Sequence, residues 1–249
     1  MTALADALAT PGVVWLILTI SLAGIVRGFT GFGTALIFVP VAGRFLPPQD
    51  VIVLITLTGV ASTAALLPRA WRQAERRDVG LLALAALLTV PLGVLTMQAT
   101  DPATVRWVVA AIASVTVLSV ATGYRYHGQI AALGLLAIGA VAGFIGGMTG
   151  LTGPVVIIFY LASLRAAATV RANTILFLAA LDVVIFGNLL ISGLTTAPII
   201  WLAVLLAIPY FVTTLIGQYL FRPTYEMLYR RIAYGVVTLA VISGLPLFD

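Results

Sequence analysis

Apolar runs of up to about twenty residues follow one another along almost the whole chain, separated by short gaps in which arginines collect. A helix needs roughly 20 apolar residues to cross hydrocarbon about 30 Å thick. Segments at 13–27, 34–46, 50–67, 79–98, 104–122, 129–146, 154–164, 171–191, 197–220 and 228–247 read as helices, which predicts an all-α polytopic membrane protein. Only 8% of residues are charged, about a third of what a soluble domain carries. With no second composition regime and no polar linker, residues 1–249 are expected to form a single membrane domain. No Lys or Arg precedes Arg27, so the positive end of a signal peptide is missing and the first apolar segment is expected to stay.

Two of the segments are too short. Residues 34–46 and 154–164 would rise only about 17–20 Å as helices, and each follows a Gly/Thr-rich break. We read 13–46 and 129–164 as helical hairpins that enter the membrane and turn back. Charge supports this. If both hairpins return to their starting side, Arg69, Arg72, Arg76, Arg77, Arg125, Arg165, Arg171, Arg222, Arg230 and Arg231 share one face. The other face keeps only Arg44 and Arg106. Ten against two is a strong positive-inside bias. It predicts a bacterial inner-membrane protein with both termini periplasmic. Each hairpin is then followed by three transmembrane helices, and the halves (about 13–122 and 129–247) begin on opposite faces as two inverted repeats. The basic balance is thereby explained by orientation, and nucleic-acid binding has no aromatic-interleaved basic stripe to support it.

The repeat is visible at an offset of 119. Ala23-Gly24-Ile25-Val26-Arg27-Gly28-Phe29-Thr30-Gly31-Phe32-Gly33-Thr34 aligns with Ala142-Gly143-Phe144-Ile145-Gly146-Gly147-Met148-Thr149-Gly150-Leu151-Thr152-Gly153, with five of twelve positions identical. Pro91 and Pro209 take similar places in the corresponding later helices. Glycine and alanine abound in membrane helices because they allow close packing, but that explains a shared G-x-T-G before each short helix less well.

These two motifs, with Pro40 and Pro154, resemble the TauE/SafE sulfite-exporter family, also known as the toluene-sulfonate uptake permeases. The likeness extends over nearly the whole chain. It implies a secondary transporter of small anions such as sulfite, sulfonates or related organosulfur compounds. Many members carry a G-x-G-G-G run where this chain has Gly31-Phe32-Gly33-Thr34-Ala35, and the second copy departs further.

The residues themselves suit an anion. Irregular backbone at membrane depth is tolerated where protein or a water-filled cavity satisfies it. Gly28, Gly31 and Gly33, and Gly147, Gly150 and Gly153, permit tight turns and close approach. The short second arms then present free N–H groups and a positive dipole end, to which Thr30, Thr34, Thr149 and Thr152 add hydroxyls. Entering from opposite faces, the two tips are expected to meet near the midplane, as discontinuous helices do in other inverted-repeat carriers. Arg27 lies among apolar residues beside the first break. Its guanidinium matches sulfonate, sulfite or carboxylate oxygens by paired hydrogen bonds; the bland alternative is a snorkelling or structurally paired arginine. Asp182, the one acid deep in an apolar run, could pair with Arg27, titrate in proton-coupled transport, or sit at a wet kink. Asn173 and Thr174 are candidates for supporting the site or for capping a helix.

An enzyme is disfavoured. The chain has no cysteine and its one histidine, His127, falls in a loop, so clustered catalytic or metal-ligating groups are lacking and no cofactor is expected. The closer rival is a passive anion channel, which would use similar glycines and Arg27 but needs a continuous pore. The expected partners are a small anion, the bilayer and a coupling proton, with oligomerisation left open.

Overall fold

The computed structural model describes residues 2–30, 33–122, 131–160, 167–220 and 226–247. Among them the chain is all-helical. The order is α1 (Thr2–Leu8), α2 (Val13–Thr30), α3 (Thr34–Ala42), α4 (Pro48–Gln73), α5 (Arg76–Ala99), α6 (Pro102–Ala121), α7 (Ala132–Thr149), α8 (Gly153–Tyr160), α9 (Ala167–Ile191), α10 (Ala197–Leu220) and α11 (Glu226–Gly244). Five of these helices are long and apolar enough to cross a membrane, namely α5, α6, α7, α9 and α10.

The surface supports that reading. Leu88, Val183, Ile208 and Leu239 are each more than 60% exposed, whereas Thr34, Thr56, Thr58, Thr149 and Thr214 are buried. Most of these hydroxyls are satisfied within their own helix: Thr56 donates to Ile52 O, Thr58 to Leu54 O and Thr214 to Tyr210 O. An apolar exterior over an internally bonded polar interior is the arrangement lipid imposes. Outside the spans, Asp101 caps α6. Its Oδ1 accepts the N–H groups of Ala103 (2.9 Å) and Thr104 (3.1 Å). Bonds from the Thr104 hydroxyl and these two N–H groups hold its carboxyl below the usual range.

Several boundaries differ from the sequence reading. Helix α1 was not anticipated, because seven Ala-rich residues are too short for an apolar period. It packs on α10. Helices α4 and α5 extend to Gln73 and from Arg76, carrying charge beyond the apolar runs. Residues 43–46 leave the helix at Gly43, whose N–H caps Val39 O.

The two breaks fall where the repeat puts them. Each long arm ends at Thr30 or Thr149, and each short arm starts at Thr34 or Gly153. Of the tight turns and close approach expected of these glycines, Gly28 and Gly147 show the close approach and not a turn, since both lie inside helices. Their role is close packing. A Cβ on Gly28 would stand 2.5 Å from Thr214 O and 2.7 Å from Gly217 Cα, and one on Gly147 would stand 2.5 Å from Val90 O.

The most extensive helix pairs are α5 with α7 and α2 with α10. Gly24 and Gly28 of α2 meet Thr213 and Gly217 of α10; Gly143 and Gly147 of α7 meet Thr89 and Gly93 of α5. Each hairpin arm therefore packs on a helix from the other half, with like residues at like places. In this register Thr213 corresponds to Thr89, so Pro209 falls opposite Ala85 rather than Pro91. The two prolines are not structural equivalents. Helices α4 and α9 pack against each other, as do α4 with α10 and α5 with α9.

Candidate functional site

The first break forms around Gly33, which takes the left-handed conformation (φ 99°) that favours glycine. The first helical bond of α3 runs from Ile37 N to Gly33 O at 3.2 Å. The N–H groups of Thr34, Ala35 and Leu36 precede it and have no acceptor within the helix. Gly33 makes no side-chain cap. Thr34 is buried, and its hydroxyl shares a 2.9 Å hydrogen bond with the hydroxyl of Tyr210 on α10. Tyr210 is fully buried. It ties the open end of α3 to α10, one residue past Pro209, which cannot donate its own helical bond.

Arg27, half-buried on α2, is the charge that acts on Asp182 of α9. No direct ion pair closes between the two among the described residues. Asp182 Oδ2 lies 3.2 Å from where a Cβ on Gly59 of α4 would stand, so glycine there makes room for the carboxylate. One turn further along α4 is Thr63, 6% exposed, whose hydroxyl has no partner. Arg27, Asp182 and the Thr34–Tyr210 pair thus draw on α2, α3, α9 and α10, with Gly59 of α4 beside the carboxylate.

The second break is built differently. Gly150 (φ 76°) caps α7 by donating to Gly146 O at 2.8 Å. The Thr149 hydroxyl donates to Ile145 O at 2.7 Å and accepts Leu151 N–H at 3.2 Å, so its proton is used within the hairpin. Thr152 N donates to Gly150 O at 3.0 Å, and Gly153 opens α8. At Gly146, the counterpart of Arg27, a Cβ would meet Ile185, Leu181 and the Thr152 methyl. Charge belongs to the first break alone.

The two tips rest on different helices. Their long arms, of 18 residues each, are about 27 Å long. The first tip is held by Tyr210, while Gly150 of the second rests on Ile52 and Ile55 of α4.

Asn173, also on α9, faces elsewhere. Its Oδ1 accepts Glu75 N–H at 2.7 Å, so it caps the start of α5 from a neighbouring helix, roughly 13 Å along the axis from Asp182. Thr174 is half-buried beside it. Gly31, the Thr30 side chain and His127 lie outside the described residues. Sequence reasoning missed Tyr210, Gly59 and Thr63. A tyrosine or threonine in an apolar helix carries no signal of its own, although proline followed by tyrosine in α10 marks a weak point in the helix.

The profile of the sulfite exporter TauE/SafE family matches residues 16–244. The chain belongs to this family. No curated protein and no solved structure matches it significantly. Membership in TauE/SafE makes the chain a membrane transport protein rather than a member of an enzyme class. One further expectation concerns the TauE/SafE fold itself. Tyr210→Phe removes the partner of the buried Thr34 hydroxyl, at a cost of about 1 kcal/mol. Tyr210→Ala leaves a cavity as well and costs about 3–5 kcal/mol. Thermal melts of the purified variants in detergent would show the two steps.

Proposed function

We propose that this protein is a proton-coupled, alternating-access carrier for a small oxyanion of the sulfite or sulfonate class. The observation that carries the proposal is the uncapped first turn of α3, with Arg27 on the arm leading to it as the charge that acts on the buried Asp182. In the empty carrier the two side chains balance each other's charge. An arriving oxyanion takes the guanidinium by paired, charge-assisted hydrogen bonds and accepts N–H groups from the start of α3. Electroneutrality then calls for a proton on Asp182, and anion and proton cross together. Thr34 and the Tyr210 hydroxyl orient the anion, and Thr63 offers a further hydroxyl.

The exchange of like helix pairs supports two halves inserted with opposite polarity, which is the symmetry alternating access uses. The arginine bias supports a bacterial inner membrane with the ends of the chain on the periplasmic side.

Proteoliposome uptake would test this reading. Sulfite, thiosulfate and alkyl and aryl sulfonates should compete with one another more strongly than carboxylates do. An inward proton gradient should accelerate uptake. Asp182→Asn should leave uptake saturable but unresponsive to the gradient; a variant still driven by pH would remove Asp182 from the coupling step.

A further inference from the structure

The two arginines that depart from the charge bias, Arg44 and Arg106, both end on the last turn of α11. Arg44 Nη1 donates to Ser243 O at 3.1 Å, and Arg106 donates to Gly244 O through Nη2 at 3.1 Å and Nε at 3.4 Å. The last carbonyls of a helix lack intrahelical donors and form its negative end, so guanidinium groups suit them. Gly244 also abuts α3: a Cβ there would stand 2.7 Å from the Pro40 ring. The end of α3, the start of α6 and the end of α11 are thereby pinned together on the arginine-poor face.

Between them lies a cleft. Its walls include Val39, Pro40, Val105 and Val109, Arg106 is its one charge, and Thr149 at the second break also lines it. It is closed down to about the room of one water molecule.

We propose that Arg106 is an anion-contact residue at this mouth and that the Arg106–Gly244 bonds are a latch the anion itself releases. An oxyanion arriving from this side offers charged, paired acceptors, which hold a guanidinium more strongly than a neutral carbonyl does. Taking Arg106 from Gly244 loosens the α6 side of this junction, while Arg44 still holds Ser243 O, and opens the cleft toward Thr149. The ligand class is a small oxyanion with sulfonate-like or carboxylate-like oxygens. This rests on the carrier reading, and it supplies the carrier with a gate that answers to substrate.

The chain contains no cysteine, so a single Val109→Cys substitution reports on the cleft without background. Val109 is 4% exposed. In lipid nanodiscs, labelling by a bulky maleimide should be slow and should accelerate about tenfold with methanesulfonate, the change expected when one charge-assisted bond pair is exchanged. Uncharged dimethyl sulfone should have no effect. Adding Arg106→Gln should make labelling fast with or without the anion. Arg106→Lys, which keeps the charge but not the paired geometry, should label slowly and respond less. Slow labelling that ignores methanesulfonate, or that stays slow in Arg106→Gln, overturns the latch. If such a chain still exchanges anions saturably, only this inference fails; unitary conductance would overturn the carrier reading instead, whatever the labelling shows.

Discussion

Arg27→Ala should lower saturable anion uptake by about a hundredfold, equivalent to roughly 2.8 kcal/mol of lost anion binding. The guanidinium lies in the last turn of α2, the arm that leads to the uncapped start of α3, and the second break offers no substitute. Its counterpart there is Gly146, facing Leu181 and Ile185. Arg27→Lys should recover part of the rate, because it restores the charge without the paired donors. The substitution also leaves Asp182 without the opposing charge that acts on it. Folding yield should therefore fall in Arg27→Ala and recover in the double variant with Asp182→Asn, while transport stays low in both. Uptake kinetics alongside size-exclusion profiles separate the two effects. If Arg27→Ala alone transports normally, the arginine is structural and the anion binds elsewhere.

The second large effect is on stability. Gly28→Ala and Gly147→Ala each place a methyl group about 2.5 Å from a carbonyl oxygen of the facing helix. No real side chain tolerates that distance, so α2 must separate from α10, or α7 from α5. These are the most extensive helix interfaces among the described residues. Without a hydrophobic drive between helices in lipid, such contacts rest on close packing. Overpacking costs typically 1–3 kcal/mol in soluble cores. Here the clash is with backbone rather than a movable side chain, and we expect a loss of about 3 kcal/mol or more, a fall in Tm of about 10 °C. Gly80 of α5 and Gly187 of α9 provide the contrast, since nothing lies within 4 Å of a Cβ on either. Alanine there should be neutral or stabilising by up to about 1 kcal/mol, its helix-propensity advantage. Differential scanning fluorimetry on the four variants checks the contrast directly, and equal behaviour would mean that the glycine crossings do not hold the halves together.

That contrast also explains what the sequence could and could not reveal. The breaks were legible because G-x-T-G recurs ahead of two segments too short to span, and helices end at Thr30 and Thr149 accordingly. The individual glycines were not. In one dimension a turn glycine such as Gly33 or Gly150 looks the same as a packing glycine such as Gly28 or Gly147. Only the facing helix tells them apart. The cue was present as Thr89-x-x-x-Gly93 and Thr213-x-x-x-Gly217 in the two receiving helices. It also exposes the Pro91–Pro209 match as out of register. Asp182 stood out as a lone acid in an apolar run, whereas Asn173 was ambiguous until its bond to Glu75 N–H showed it capping a helix. Tyr210 and Thr63 matter through burial and hydrogen bonding, which residue type alone does not announce. The two arginines that the charge reading set apart, Arg44 and Arg106, prove to hold the end of α11.

Counterflow in proteoliposomes tests the central claim most directly. Vesicles loaded with unlabelled sulfite, kept anaerobic and diluted into a trace of radiolabelled sulfite, should accumulate label transiently above equilibrium. The overshoot should vanish in Arg27→Ala. A carrier with one site exposed alternately to each side must exchange in this way. Label that rises only to equilibrium, with flux that does not saturate, would contradict the carrier and leave a passive pore.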